Sequence, residues 1–372
     1  MSNQNWDTLS LEKCLEKVEV TSKILKKNFL VSGEFPVVSQ EADLIAGFWN
    51  NKKDVFKIAK PVVIYGDHTR VIKFVDFDFA KGADGVKILQ PKDFLNTKYF
   101  YYYLHCFEIK PLGYARHYRL LKELSVSFPT LNEQKRIVGI LDEKFKAIEE
   151  LKKVTEAQIQ DAKELFESRL SEIFTNSEKG SDEVALSDVS SIETKLIDPK
   201  EKKYKSHLHI GAGNIESKTG ILSDIKTAEE EKLISGKFLF DTNTILYSKI
   251  RPYLMKVARP VFSGLCSADI YPLVAKKDVL NKDFLFYLLL SKNFTDYAVA
   301  GSDRAGMPKV NRDHLFAYRF SLPDFKMQVK LVNELDELYE KSKMLETVFL
   351  NKVHDLEELK KSYLAQAFAG KL

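Results

Sequence analysis

His207 and His209 alternate as on one face of a strand, a spacing that can aim two imidazoles at a shared metal ion. A zinc site needs a third or fourth ligand, and none lies nearby in the sequence, so a surface or core histidine pair is the simpler reading. Asp93 with Glu108-Ile109-Lys110 has the carboxylate and lysine spacing of a nuclease centre, but the positions aligned with 108 and 110 in the second half of the chain are Asn293 and Thr295. Gly211-Ala212-Gly213 lacks the rest of a dinucleotide fingerprint, and neither a G-x-x-x-x-G-K-[ST] phosphate loop nor a [DN]-P-P-[YF] amino-methyltransferase motif is present. Cys14, Cys106 and Cys266 are widely spaced and include no C-x-x-C pair, which points to free thiols in a reducing compartment. The chain reads as non-catalytic, without a metal of its own.

Basic side chains interleaved with aromatic ones suggest a different chemistry. Arg and Lys reach phosphates, while Arg on guanine and Asn or Gln on adenine discriminate bases in the major groove. In the first half the best such segment is Tyr114-Ala115-Arg116-His117-Tyr118-Arg119, followed by Asp67-His68-Thr69-Arg70. The second half offers Ser302-Asp303-Arg304, Met307-Pro308-Lys309 with Asn311-Arg312, and Ser248-Lys249-Ile250-Arg251-Pro252-Tyr253. For each residue, a surface charge or a loop anchor is the alternative to a base contact. Net charge is only +4, so any nucleic-acid surface must be local.

These segments need a frame, and the sequence contains one twice. Pro129–Phe174 aligns without a gap on Pro323–Phe368, with fourteen identities in forty-six positions, including Gln134, Asp142, Leu151 and Leu170. Apolar residues recur at Ile137, Leu141, Phe145, Ile148, Leu151, Ile159, Phe166 and Leu170, and at Leu331, Leu335, Leu345, Phe349, Leu356, Leu359 and Leu364. Their mean period is close to 3.6, which predicts two long helices, each with one apolar stripe. A helix of that length is ~65 Å long, and its stripe needs a partner; the other copy is the obvious one.

Each helix follows a globular stretch. Strands are expected near Phe35–Val38, Pro61–Tyr65, Arg70–Val75 and Glu123–Pro129, and helices over Leu9–Val18 and Asp93–Phe107. The second stretch repeats this grammar with a helix at Leu186–Val189, strands at His207–Ile215 and Thr244–Tyr247, and a helix at Asp278–Leu289. A nine-residue insertion falls near Thr295–Pro308, read as a Gly-containing loop. The expected organisation is α+β: two mixed α/β heads at 1–130 and 178–323, with helices at 131–177 and 324–372 pairing as an antiparallel coiled coil under a pseudo-two-fold internal repeat. No stretch approaches the roughly eighteen apolar residues of a membrane span, and the N-terminus has no basic and apolar leader, so a cytoplasmic protein is expected.

The junctions Phe128-Pro129-Thr130-Leu131-Asn132-Glu133-Gln134-Lys135-Arg136-Ile137-Val138 and Leu322-Pro323 through Gln328 to Val332 carry a resemblance. So do the opening Trp6–Val18, the segment Gly33–Val38 and the final Ala365–Leu372. Over almost its whole length the chain resembles the specificity subunits of type I restriction-modification systems. The resemblance implies two target-recognition domains, each binding one half of an interrupted asymmetric site in double-stranded DNA, held apart by antiparallel spacer helices. It also implies docking of two methyltransferase subunits, which bring S-adenosylmethionine, and often of two restriction subunits, which use ATP and magnesium. Two other classes remain open on the residues alone: a stand-alone nuclease or methyltransferase with degenerate motifs, and a scaffold that binds only protein.

Overall fold

The computed structural model describes residues 6–19, 21–83, 85–107, 109–110, 116–175, 183–192, 195–302 and 308–372. The chain divides into two compact units, Met1–Glu156 with Leu350–Leu372, and Ala157–Phe349.

In the first unit Asp7–Ser10 pairs antiparallel with Ser125–Phe128, Leu9 opposite Val126. The helix expected over Leu9–Val18 is therefore a single turn, Leu11–Cys14. Leu9 belongs to a strand because its partner lies at the far end of the head, which local periodicity cannot reveal. The central strand Val62–Gly66 is flanked by Ile72–Val75 and Val86–Leu89, all antiparallel. It is buried throughout because it has two covered faces: Val63 and Tyr65 pack with the aromatic helix Thr97–Leu104, and Val62 and Ile64 pack with Val38, Phe56 and Phe79 of a second sheet. That sheet has the order Gly47–Trp49, Phe35–Val38, Phe79–Lys81, Val55–Phe56.

The second unit repeats the plan. Thr244–Ser248 lies between Ile270–Ala275 and Val257–Ala258, with Ser190–Ile192 at the edge. Ile245 and Tyr247 face the helical core, and Leu246 faces a five-stranded sheet that contains Leu208–Ile210 and Gly264–Cys266. The strand expected over His207–Ile215 shortens to three residues because Asn214 Oδ1 accepts the Gly211 amide at 2.8 Å and turns the chain. Asn96 and Asn281 cap corresponding helices, Thr97–Leu104 and Lys282–Leu290, each accepting two amides with its side-chain oxygen, so both helices start later than their aspartates suggest. Part of the insertion expected as a loop is a helix, Lys292–Ala300, because Ser291 caps it and Phe294 and Ala298 are buried. Residues 303–307 of the insertion lie outside the described residues.

The long helices are Leu131–Thr175 and Phe325–Phe368. They run antiparallel in each unit. In the first, Lys360 Nζ sits 5.3 Å from the Phe145 ring centroid and Lys152 pairs with Glu357 at 2.7 Å. In the second, Lys163 pairs with Glu346 at 2.9 Å, the Phe166 and Tyr339 rings meet at 5.4 Å, and Arg169 pairs with Glu334 at 2.7 Å.

Their buried stripe follows a seven-residue repeat rather than the 3.6 period. Gln134, Leu141, Ile148, Thr155 and Ala162 are buried at steps of seven, with Val138, Phe145, Lys152, Ile159 and Phe166 half-buried between them. The second helix matches this with Gln328, Leu335, Ser342 and Leu356 buried and Phe349 half-buried at the same steps. Ile137, Leu170 and Leu364 are buried, within the cores of the heads, and Leu331 is half-buried, but Leu151 is 48%, Leu345 42% and Leu359 40% exposed. Supercoiled helices hold a 3.5 repeat, and one residue is a rotation of about 100°, so Leu151, next to the seam residue Lys152, turns outward. Leu345 stands beside Glu346 and Leu359 beside Lys360 in the same way.

Each long helix is tied to its head by a fully buried glutamine. Gln134 Nε2 donates to Pro129 O at 2.9 Å and Phe94 O at 3.0 Å, and its Oε1 accepts Asn96 N at 2.8 Å. Gln328 repeats the set on Pro323 O at 2.8 Å, Val279 O at 3.0 Å and Asn281 N at 2.8 Å. Two turns on, Asp142 accepts Tyr102 Oη at 2.5 Å and Lys98 Nζ at 2.8 Å, while Asp336 accepts Tyr287 Oη and Arg259, both at 2.5 Å.

Gln134→Ala should lower the unfolding free energy by roughly 3–5 kcal/mol in urea titration, since each orphaned buried group costs about 1–3 kcal/mol. An unchanged midpoint would mean that other contacts hold the joint. For the seam, Leu335→Ala should cost roughly 2–5 kcal/mol and Leu345→Ala no more than about 0.5 kcal/mol. Equal losses would place the seam elsewhere.

Candidate nucleic-acid interface

In both units the buried central strand ends in a turn that meets a segment arriving from beyond the capped helix. In the first unit, Asp67 O accepts the His117 amide at 2.9 Å, Asp67 Oδ1 accepts the Tyr118 amide at 2.8 Å, and Arg70 donates from its guanidinium to Ile109 O at 2.9 Å. In the second, Val310 N donates to Lys249 O and Arg251 N to Pro308 O, both at 2.9 Å, with Ile250 bridged to Lys309. The two candidate segments of each head therefore lie together, which their separation in sequence did not show.

Arg70 and Arg251 adopt left-handed backbone angles, φ 63° and 51°. Such a residue with a Cβ costs roughly 1–2 kcal/mol, and here it occurs at the same turn of both heads. Both arginines are exposed, as are His68, Arg116, Arg119, Tyr253, Lys309, Asn311 and Arg312. Asn311 also caps the short helix Arg312–Phe316 by accepting His314 N at 2.7 Å, and Arg312 lies 5.6 Å from the Phe316 ring centroid. Tyr114 and Arg304 lie outside the described residues.

Four candidates are buried or half-buried and bond or pack within their own heads. His117 is 1% exposed, its Nδ1 3.0 Å from Asp67 O, because it occupies the floor of the turn. Tyr118 is half-buried, with Lys87 and Lys122 at 5.5 and 5.6 Å from its ring centroid. Ser248 is 2% exposed and bonds Ile250 O at 3.3 Å. Lys249 lies over the Tyr271 ring at 5.1 Å and donates to Ala268 O; burial, then Lys309, holds its ammonium below the usual lysine range. Polar residues at the end of an apolar strand, such as Ser248 and Lys249, read as exposed in a sequence, yet the turn folds them inward to close its own hydrogen bonds. Asp67, the acid that opens the candidate segment Asp67–Arg70, and Asp269, which the sequence did not single out, are central to these turns.

The other sites also resolve into structure. Asp93 pairs with Lys60 at 2.7 Å, and Glu108 is outside the described residues. His209 Nδ1 meets Glu231 Oε2 at 2.7 Å, its Nε2 is buried without a hydrogen-bond partner, and among the described residues no group of three or more His, Cys, Asp and Glu could hold a metal.

Two stretches, residues 3–160 and 178–353, match the model of the type I restriction modification DNA specificity domain, one over each head. The chain belongs to this family. It is similar to the type I restriction enzyme EcoDI specificity subunit of Escherichia coli, 36% identical over 184 residues. That alignment covers 50% of this chain and 40% of the relative, so the chain spans less than half the length of that curated protein. Among solved structures, a chain from work on complex assembly and conformational transition of the type I R-M system superposes with a TM-score of 0.76 at 15% identity over all of both chains. The HsdS subunit from Thermoanaerobacter tengcongensis gives 0.58 at 15% identity, over all of this chain and 98% of that one. At these identities the two structures show the fold that specificity-domain proteins share with this chain.

Burial holds His209 below its ordinary value of 6.5, outweighing the pull of Glu231, and nearby Lys237 acts in the same direction as burial. The unfolded chain therefore takes up a proton first. Stability from this site is complete above the unfolded value and is lost as pH falls through the depressed folded value. The melting temperature should fall as pH drops below about 6.5, and His209→Gln should flatten that part of the profile. Parallel profiles for the two proteins would show that His209 does not contribute.

Proposed function

We propose that this chain is the DNA-recognition subunit of a type I restriction-modification complex, directing partner subunits to a bipartite asymmetric site in double-stranded DNA. The observation that carries the reading is the repeated family match, one copy per head, with an exposed left-handed arginine at the same turn in each. A common frame with different residues at its edge, Arg116 and Arg119 against Lys309 and Arg312, suits two readers of unlike half-sites. The chain supplies recognition and no catalytic step. Two methyltransferase subunits would bring S-adenosylmethionine, and two restriction subunits would bring ATP-driven, magnesium-dependent cleavage. The setting is the cytoplasm; among the described residues no helix is long and apolar enough to cross a membrane.

The test is methylation, by the assembled complex, of duplexes randomised in both halves. The wild type should select one bipartite sequence. Arg116→Ala with Arg119→Ala should relax one half, and Arg251→Ala with Lys309→Ala the other, since a specific base contact contributes about 1–3 kcal/mol of discrimination. If either pair altered both halves equally, the assignment of the edges would be wrong. Methylation or cleavage by the isolated chain would favour an enzyme instead.

A further inference from the structure

The residue directly after the central strand is a hub in both heads. In the first it is Asp67, whose side chain is 3% exposed. Its amide donates to Gly85 O at 2.7 Å, its carbonyl accepts the His117 amide, and its Oδ1 accepts the Tyr118 amide at 2.8 Å. Its Oδ2 lies 3.8 Å from Lys87 Nζ, the ammonium that sits over the Tyr118 ring. One side chain and its main chain thus join the strand end, the neighbouring turn and the segment 116–119. The two residues it grips, His117 and Tyr118, lie between the exposed Arg116 and Arg119.

The second head fills this position with the opposite charge. Lys249 donates its amide to Asp269 O at 3.1 Å and accepts the Val310 amide at 2.9 Å, and its ammonium lies 3.8 Å from Asp269 Oδ1. Lys309, one residue before Val310, is exposed and 4.0 Å from the same carboxylate. A buried carboxylate is costly to keep on a surface that approaches phosphates unless it accepts hydrogen bonds that nothing else can take. Asp67 meets that condition, since among the described residues it is the carboxylate that accepts the Tyr118 amide and pairs with Lys87.

We propose that Asp67 is a positioning residue for the first half-site, aiming Arg116 and Arg119 through His117 and Tyr118 without touching DNA, and that Lys249 holds the corresponding position for Lys309 and Arg312. The inference rests on the reading of the heads as half-site readers. It makes the charge swap at one structural position part of the difference between two recognition edges built on a common frame.

The experiment compares methylation rates of the assembled complex on duplexes matched or mismatched in one half at a time. Asp67→Ala should lower the matched-to-mismatched ratio for one half-site about tenfold, leaving the other within about twofold. Asp67→Asn, which keeps an acceptor for the Tyr118 amide, should recover the ratio to within about threefold of wild type. An unchanged ratio in Asp67→Ala, an equal fall at both half-sites, or no recovery with asparagine overturns the proposal. If Asp67→Ala does not fold, Lys87→Met, which disturbs no main-chain bond of the turn, carries the test: a severalfold fall at one half-site alone is expected, and no change overturns the proposal. A wild-type complex without sequence preference would instead overturn the recognition reading itself.

Discussion

Everything on each head is referred to a buried glutamine. Proline 129 or 323 ends the last strand, and the next residues must leave it at a fixed angle to start the long helix. Gln134 and Gln328 set that angle by bonding the proline carbonyl behind them and the loop before the capped helix beside them, with matching partners and nearly matching distances. The amide group suits the position because it offers two donors and an acceptor in one plane without a charge. A leucine would orphan three main-chain groups, and a glutamate would bring an ion into a site with too few donors. The Tyr102–Asp142 and Tyr287–Asp336 bonds make the same connection farther along the helix and resist rotation about the first.

Such a joint lets the rest of the head vary. The sheets behind the central strands differ in strand number and order between the two units, four strands in one and five in the other. Yet Val62–Gly66 and Thr244–Ser248 both pack a helical core on one face and a second sheet on the other. Because the strand is gripped on both faces, its end is rigid, and the turn that follows can carry a strained arginine and a buried hub without losing its place. Exposed side chains on that turn and on the adjoining segment are then free to differ, which is the property a pair of unlike readers needs.

The repeat, the two long helices, the mixed character of the heads and the family resemblance were legible in the sequence because each depends on local pattern or on similarity between segments. Identity at Gln134, Asp142, Asn96 and Tyr102 with their second copies was visible too, although not the bonds that make those identities matter. The seam was misread by a fraction of a residue per turn. A straight-helix period of 3.6 and a supercoiled one of 3.5 agree over two turns and diverge over ten, which turns Leu151, Leu345 and Leu359 partly toward solvent.

The sequence by itself determined that two similar heads alternate with two similar helices, and it offered basic segments at corresponding places as candidates for a nucleic-acid surface. Tertiary structure decided which of those residues face outward. His117, Ser248 and Lys249 are chemically suited to DNA, yet each closes a turn: Ser248 on nearby Ile250, and His117 and Lys249 on Asp67 and Ala268, which folding brings there. The reason is geometric: composition states what a side chain can bond, while the strand-end turn decides whether its own main chain claims that bond first.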